Sequence, residues 1–338
     1  FFFKQKTAYE IRPRDWSSDV CSSDLAAALP LAATAQPVKL TLGHGAAPDN
    51  PRHIAAVKFA DTVKAKTAGR LEIQVAHSAQ LGDDAAMVTA LRSGTLDMSA
   101  NSQGAVAAVV PEFAALGLPF LFADAAKAWG VMDGAIGKEL GDKAAAKGMV
   151  LLGLWDNGIR QMSNSKRAIK SPADLKGLKM RTPPDAVTID IMQAMGADAQ
   201  QIKFSELYVA LQQGVVDGQE NPLTNISSAK LYEVQKFISL TGHKYESTPF
   251  LMSKRTWDKL SDADKKAVNE AAAEATALQR KLNKEADEKL VAELKAKGAQ
   301  IDTVDRKAFV DASKPVYTKW TTGAIGEFVQ RVVTAAGN

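Results

Sequence analysis

The chain has 338 residues, 46% of them hydrophobic and 24% charged, with a formal net charge of only +4. That length suits two lobes of ordinary domain size, each with its own core. Lysines alternate with acids instead of gathering into a basic stripe, which excludes nucleic acid as a partner, and after residue 36 no run reaches the roughly 18 apolar residues of a membrane span.

Residues 1–25 lack both helical and strand periodicity and resemble translated sequencing-adaptor read-through, so they are set apart from the fold. Their charges cancel, because Lys4, Lys6, Arg12 and Arg14 are matched by Glu10, Asp15, Asp19 and Asp24. Residues 26–35 read as the remnant of a signal peptide, an apolar run closing on the small-residue pattern Ala33-Thr-Ala35. The single cysteine, Cys21, lies in the foreign stretch. The remainder therefore has no thiol for metal binding or nucleophilic catalysis.

From Val38 a βαβ rhythm begins. Residues 38–42 alternate as a strand and lead into the Gly43-His-Gly45 turn, where His44 reads either as a ligand donor or, more simply, as a surface-turn histidine. Asn50 caps a helix with Pro51 at its first position and Gly69 beyond its end. A strand at 71–75, a helix at 83–92 closed by Gly94, a strand at 95–99 and an apolar strand at 149–155 follow, the last suited to a sheet covered on both faces. Residues 155–163 cross into a second α/β unit.

In that unit Gly177 ends a short turn, residues 178–181 form a brief buried strand, and Pro183-Pro184 stops it. Arg181 thus stands at a strand end, the usual place of a ligand site in an open α/β sheet, where its planar fork can hold a carboxylate. An inter-lobe salt bridge is the alternative. A helix at 185–195 comes next, then one with Ser205 as N-cap and Gly214 as its stop. The segment Ala90 to Asn101 aligns without gaps on Ala210 to Asn221 at an offset of 120, sharing Ala, Leu, Gly, Asp and Asn. A strand exit ending in asparagine thus occurs once per half, which sets Asn101 and Asn221 facing each other across a cleft. From Ser261 no Gly or Pro interrupts the chain until Gly298. A helix of that length extends about 50 Å, with Leu278, Leu282, Ala286, Leu290 and Leu294 as an apolar stripe along two lobes. A strand near 300–304 and two helices finish the chain.

Four segments together carry a family resemblance: Gln80-Leu-Gly-Asp-Asp84, Trp155-Asp-Asn-Gly-Ile-Arg160-Gln-Met-Ser163, Leu175-Lys-Gly-Leu-Lys-Met-Arg181, and Phe204-Ser-Glu-Leu-Tyr208 running to Val216-Asp-Gly-Gln-Glu-Asn-Pro222. They resemble the solute-binding proteins of tripartite ATP-independent periplasmic (TRAP) transporters, from Val38 onward. The resemblance implies a periplasmic protein that delivers a small organic acid to membrane permease subunits; no cofactor is expected, and a monomer suffices for such a binder. It implies that Arg181 grips the ligand carboxylate, that Arg160 and Asn221 assist, and that Phe204 packs on the ligand. Asp84, Asn101 and Ser102 fall where the opposite lobe reads the rest of it. From the residues alone Arg160 also reads as a solvated strand residue, and Phe204 as a staple before the helix cap. The segment from Trp155 is reminiscent of the four-carbon dicarboxylate type, though sugar, hydroxy and keto acids use the same arginine.

The expected fold is α/β and bilobed, of the periplasmic-binding-protein type II-like architecture, with a long helix spanning both lobes. Lobe I comprises residues 37–157 and 247–286, lobe II residues 158–246 and 287–338. A periplasmic enzyme or a sensor-partner binding protein is the alternative on the same scaffold. Catalysis is disfavoured because no Gly-x-Ser-x-Gly elbow is present and the four histidines lack metal-ligand spacing.

Overall fold

The alternating segment after Val38 forms strand β1 (Val38–His44), with Leu40 and Leu42 buried. The structure is a computed structural model that describes residues 36–337; the expectations for residues 1–25 and 26–35 lie outside the described residues. Eight further strands follow in chain order. They are β2 (Leu71–Ala76), β3 (Met98–Ala100), β4 (Met149–Asn164), β5 (Lys179–Thr182), β6 (Asp198–Gln201), β7 (Gly218–Pro222), β8 (Phe237–Ser253) and β9 (Gln300–Thr303). They join in one sheet of order β2-β1-β3-β8-β4-β7-β5-β6, with β9 beside β8.

The order reads as one arrangement used twice. In the first half β1 runs parallel to β2 and β3, and β3 pairs antiparallel with β8; in the second, β5 runs parallel to β6 and β7, and β7 pairs antiparallel with β4. The 120-residue offset has a physical counterpart. Asp97 Oδ2 accepts the Thr41 N–H of β1 at 2.9 Å, and Asp217 Oδ2 accepts the Lys179 N–H of β5 at 2.9 Å. Each aspartate satisfies a donor at the start of a parallel ladder.

Two strands differ from expectation. β4 does not end at residue 155 but continues to Asn164, and β8, with 17 residues, has no counterpart among the predicted elements. The two pair antiparallel along their lengths. The middle of β8, His243-Lys-Tyr-Glu-Ser-Thr248, is polar and almost wholly buried, so it lacks the apolar alternation by which a strand is recognised. Between Asp156 and Gly158 the β4–β8 register shifts. Gly158 has φ +116°, and a Cβ there would lie 3.1 Å from Asn283 Nδ2, so glycine is required.

That irregularity is answered by the long helix Asp262–Ala296, capped by Ser261. Its first half buries Val268, Ala271, Ala272 and Ala275 in a core with Leu40, Leu42, Phe59, Trp155 and Phe250. Its last turns bury Leu290 and Leu294 with Leu207, Leu211, Ile226 and Ile238. Between them the buried face is polar. Gln279 accepts the Asp156 N–H and donates to the Asp156 carbonyl, both at 2.7 Å, and Asn283 donates to Asp156 Oδ2 at 3.0 Å. The helix thus satisfies backbone groups of β4 beside the register shift. The apolar stripe is corrected accordingly: Leu278 and Leu282 are only half buried, because the face beside them must supply hydrogen bonds.

Asp287 on the same helix is pushed up to about 7 by burial and by the neighbouring Asp156. A raised carboxyl contributes stability that is complete below its unfolded value near 4 and is lost as the pH rises to 7. Asp287 keeps some solvent contact, so the effect is discounted. Relative to wild type, Asp287→Asn should gain about 1 to 2 kcal/mol on going from pH 5 to pH 8. Urea denaturation at the two pH values measures it, and parallel pH profiles would refute it.

The helix Phe204–Gln212 is entered from Lys203, with no side-chain cap bond. Ser205 is therefore inside the helix, not its N-cap, and Phe204 occupies the first helical position instead of the staple position. Of the C-terminal helices, Arg306–Thr321 sends Tyr317 Oη to the Pro119 carbonyl at 2.9 Å, and Gly326–Ala336 is tied by Arg331 to Glu139 at 2.7 Å.

Candidate functional site

Where the two halves of the sheet meet lies a cavity of about 700 Å³. Arg181, Arg160, Asn221, Phe204, Asp84 and Ser102 all line it; Asn101 does not. Arg181 arrives on β5 and is 2% exposed. Its Nε donates to the Ile202 carbonyl at 2.8 Å, which fixes the fork, and its Cζ lies 6.0 Å from the centre of the Phe204 ring. No ion pair to Arg181 is present among the described residues. Desolvation pushes its pKa down to about 10, only partly opposed by Glu220, Glu246 and Asp84 in the surroundings. The alternative of an inter-lobe salt bridge finds no partner among the described residues; Arg181 is a buried fork with open Nη donors.

Arg160, also 2% exposed, is differently placed. It is not a solvated strand residue. Its Nε and Nη2 bind the Glu220 carboxylate, Nη2 also donates to the Glu220 carbonyl at 2.6 Å, and Nη1 binds Glu246. Desolvation works against its charge, yet the two carboxylates outweigh it and raise its pKa. Glu220 is fully buried, which alone would raise its pKa; Arg160 and the hydrogen-bonded His243 bring it down to about 2. Beside this network Lys244 pairs with Asp185, and the lysine holds that carboxyl below its usual range against the desolvation.

Asn221 Nδ2 donates to Gln219 Oε1 at 2.5 Å, and Asn101 Nδ2 donates to Ser99 Oγ at 2.8 Å, the same bond two residues back in each half. The two asparagines are equivalent in the repeat, but only Asn221 reaches the cavity. In the first half Asp84 Oδ2 accepts the Ser102 N–H at 3.2 Å. Its Oδ1 is buried without a partner. His44, the last residue of β1, is wholly buried and not a surface-turn residue. Its Nδ1 accepts the Ala46 N–H and its Nε2 lies 3.1 Å from His53 Nδ1. Desolvation, Arg52 and the neighbouring histidines push it down to about 3, so it stays neutral.

Several lining residues were not singled out from sequence: Arg52, Asn157, Lys203, Asn225 and Glu246. Arg52 carried a signal. It stands in the first turn of the helix Pro51–Lys66, where the helix dipole disfavours a cation, so its charge serves something other than the helix. Its Nη2 donates to Asn157 Oδ1 and Thr248 Oγ1, each at 3.0 Å. Glu246 sits in the polar middle of β8, the strand whose pattern hid it. The two halves are joined by Lys203 to Asp83 at 2.6 Å and by Asn50 Nδ2 to Asn225 Oδ1 at 3.0 Å. Among the described residues no group of His, Cys, Asp and Glu could hold a metal ion, and no helix is long and apolar enough to cross a membrane.

The model of DctP, bacterial extracellular solute-binding protein, family 7, matches residues 42–322. An uncharacterized protein, y4mM, of Sinorhizobium fredii is 54% identical over 91% of this chain, which spans 57% of that relative's length. Among solved structures, a TRAP periplasmic solute-binding protein from Polaromonas bound to D-erythronate is 39% identical with a TM-score of 0.85, over 88% of this chain and 98% of its own. Another from Sulfurospirillum deleyianum, with bound succinate, is 33% identical with a TM-score of 0.83, over 87% and 97%. The two α/β lobes around a cleft are the fold of these structures. With a match over most of its length, this chain belongs to the bacterial extracellular solute-binding proteins of family 7.

Proposed function

We propose that this protein is the periplasmic solute-binding component of a TRAP transporter, capturing a small organic acid and handing it to the membrane permease subunits. The observation that carries the carboxylate assignment is Arg181: a guanidinium buried at the cavity wall, anchored through Nε, with no ion pair to its Nη donors among the described residues. A carboxylate there makes two charge-assisted hydrogen bonds in a site screened from water, where they are strong. Asn221 and Phe204 border the same spot, and Arg160 supports it through Glu220 and Glu246. The lobes, residues 37–157 with 247–286 and 158–246 with 287–338, close over the ligand, with Lys203 and Asp83 meeting at the mouth. A monomer suffices for this task.

The ligands of the two structural relatives, a hydroxy acid and a dicarboxylate, both fit a carboxylate clamp. A thermal-shift screen of organic acids tests the reading, since stabilisation follows occupancy: an acid at 100 times its Kd adds about 2.7 kcal/mol. The bound acid should be recovered chemically unchanged after prolonged incubation. Stabilisation by no acid, or conversion of the acid, would overturn it.

A further inference from the structure

The helix Pro51–Lys66 begins a chain of amides that crosses from the first half to the second. The backbone N–H of Arg52 can only donate, and it donates to Asn50 Oδ1 at 3.0 Å, the N-cap bond of that helix. That leaves Asn50 Nδ2 free to donate to Asn225 Oδ1 at 3.0 Å and to Ser228 Oγ at 3.1 Å. With its oxygen so held, Asn225 donates through Nδ2 to Asn221 Oδ1 and to Asn157 Oδ1, each at 3.1 Å. Arg160 Nη2 donates to the same Asn221 oxygen at 3.3 Å. Asn50, Asn225 and Asn221 are 4%, 8% and 2% exposed, so water hardly competes for these bonds.

The direction of every link follows from the first. A carboxamide donates on one side and accepts on the other, so a flip at any step sets oxygen against oxygen or N–H against N–H. At the end of the chain Asn221 turns its oxygen to Asn225 and Arg160 and gives one Nδ2 hydrogen to Gln219 Oε1. Its other N–H has no partner among the described residues. Asn221 and Asn225 line the cavity, and Asn50 does not. A ligand carboxylate needs a donor there; a flipped Asn221 would meet it with an oxygen. Each bond of such a chain also polarises the next, and this one starts at a helix N-terminus, the positive end of the dipole. We infer that Asn225 is a positioning residue: held from the first half by Asn50, it fixes Asn221 with its donor side toward the ligand carboxylate, so that this donor is set only where the two halves meet. This rests on the proposed carboxylate site at Arg181 and Asn221.

The test is a double-mutant cycle read by titration calorimetry. D-erythronate and succinate, the acids held by the two structural relatives, are titrated into the wild type, and the tighter is carried through the series. Asn225→Ala breaks the chain in the middle. Asn50→Ser breaks it outside the cavity, because serine caps a helix about as well as asparagine but is too short to reach Asn225. Each should weaken the acid about three- to tenfold, the worth of one hydrogen bond, with circular dichroism showing a folded protein. In an Asn221→Ala background the same two changes should move affinity by less than about twofold, since coupled residues are not additive. A residue that merely ties the halves together would weaken binding equally in both backgrounds, and that outcome overturns the inference. So does an Asn50→Ser variant that binds as the wild type does, which would make Asn225 a direct ligand contact. If Arg181→Ala abolishes binding while the cycle is additive, the relay fails and the carboxylate site stands. If neither acid binds the wild type, or Arg181→Ala binds as tightly, both fail.

Discussion

Arg160→Met should cost about 3 to 5 kcal/mol of folding stability, because removing one partner of a buried ion network leaves its counter-charges without compensation. Here two carboxylates are stranded. Glu220 and Glu246 are 0% and 1% exposed, and both bind this one guanidinium. The sign of the pH dependence follows. In the wild type the depressed Glu220 carboxyl gives stability that is present above the unfolded value and is lost as the pH falls toward 2. Without Arg160 the burial of Glu220 is no longer outweighed, its pKa rises, and the variant should be least stable at high pH. Urea denaturation at pH 5 and pH 8 checks both statements. A loss below 1 kcal/mol would show that the network does not hold the lobes' junction together.

Arg181→Met should act in the opposite sense on the ligand-free protein. A guanidinium that is 2% exposed, has no ion-pair partner among the described residues and is pushed down to about 10 by burial opposes folding at neutral pH. Methionine fills much of the same space without the desolvation. The expected gain is about 1 to 3 kcal/mol, the trade of stability for function found at binding sites. Ligand affinity should fall by roughly 2 to 5 kcal/mol, the usual loss when one member of a buried charged pair is removed. Thermal unfolding with and without a tight-binding acid separates the two effects. A variant with lower melting temperature than wild type and unaltered ligand stabilisation would contradict both.

How much of this was legible in the sequence depends on how local the signal was. Arg181 was found from Gly177 and Pro183-Pro184, which bracket its strand within a few residues, and Asn221 from a strand exit repeated at a fixed offset. The half-domain repeat was legible for the same reason, since Asp97 and Asp217 satisfy equivalent backbone donors. The parts missed were those whose logic is tertiary. β8 is polar where it crosses the cleft, since His243, Lys244 and Glu246 answer charges on other strands and not a periodic core. The long helix was found from its uninterrupted length, but the face it buries changes from alanines to Gln279 and Asn283 where β4 shifts register, a demand set by another strand. Arg52 and Glu246 became site residues only through the folded cavity.

The proposed function requires that a ligand carboxylate bind on Arg181. Titration calorimetry of wild type and Arg181→Met with the tightest acid of the screen tests it most directly, with circular dichroism confirming that both are folded. The wild type should bind clearly and the variant should lose at least about 30-fold, the lower end of the range for a buried charged pair. Equal affinities in the two proteins would place the acid elsewhere and contradict it.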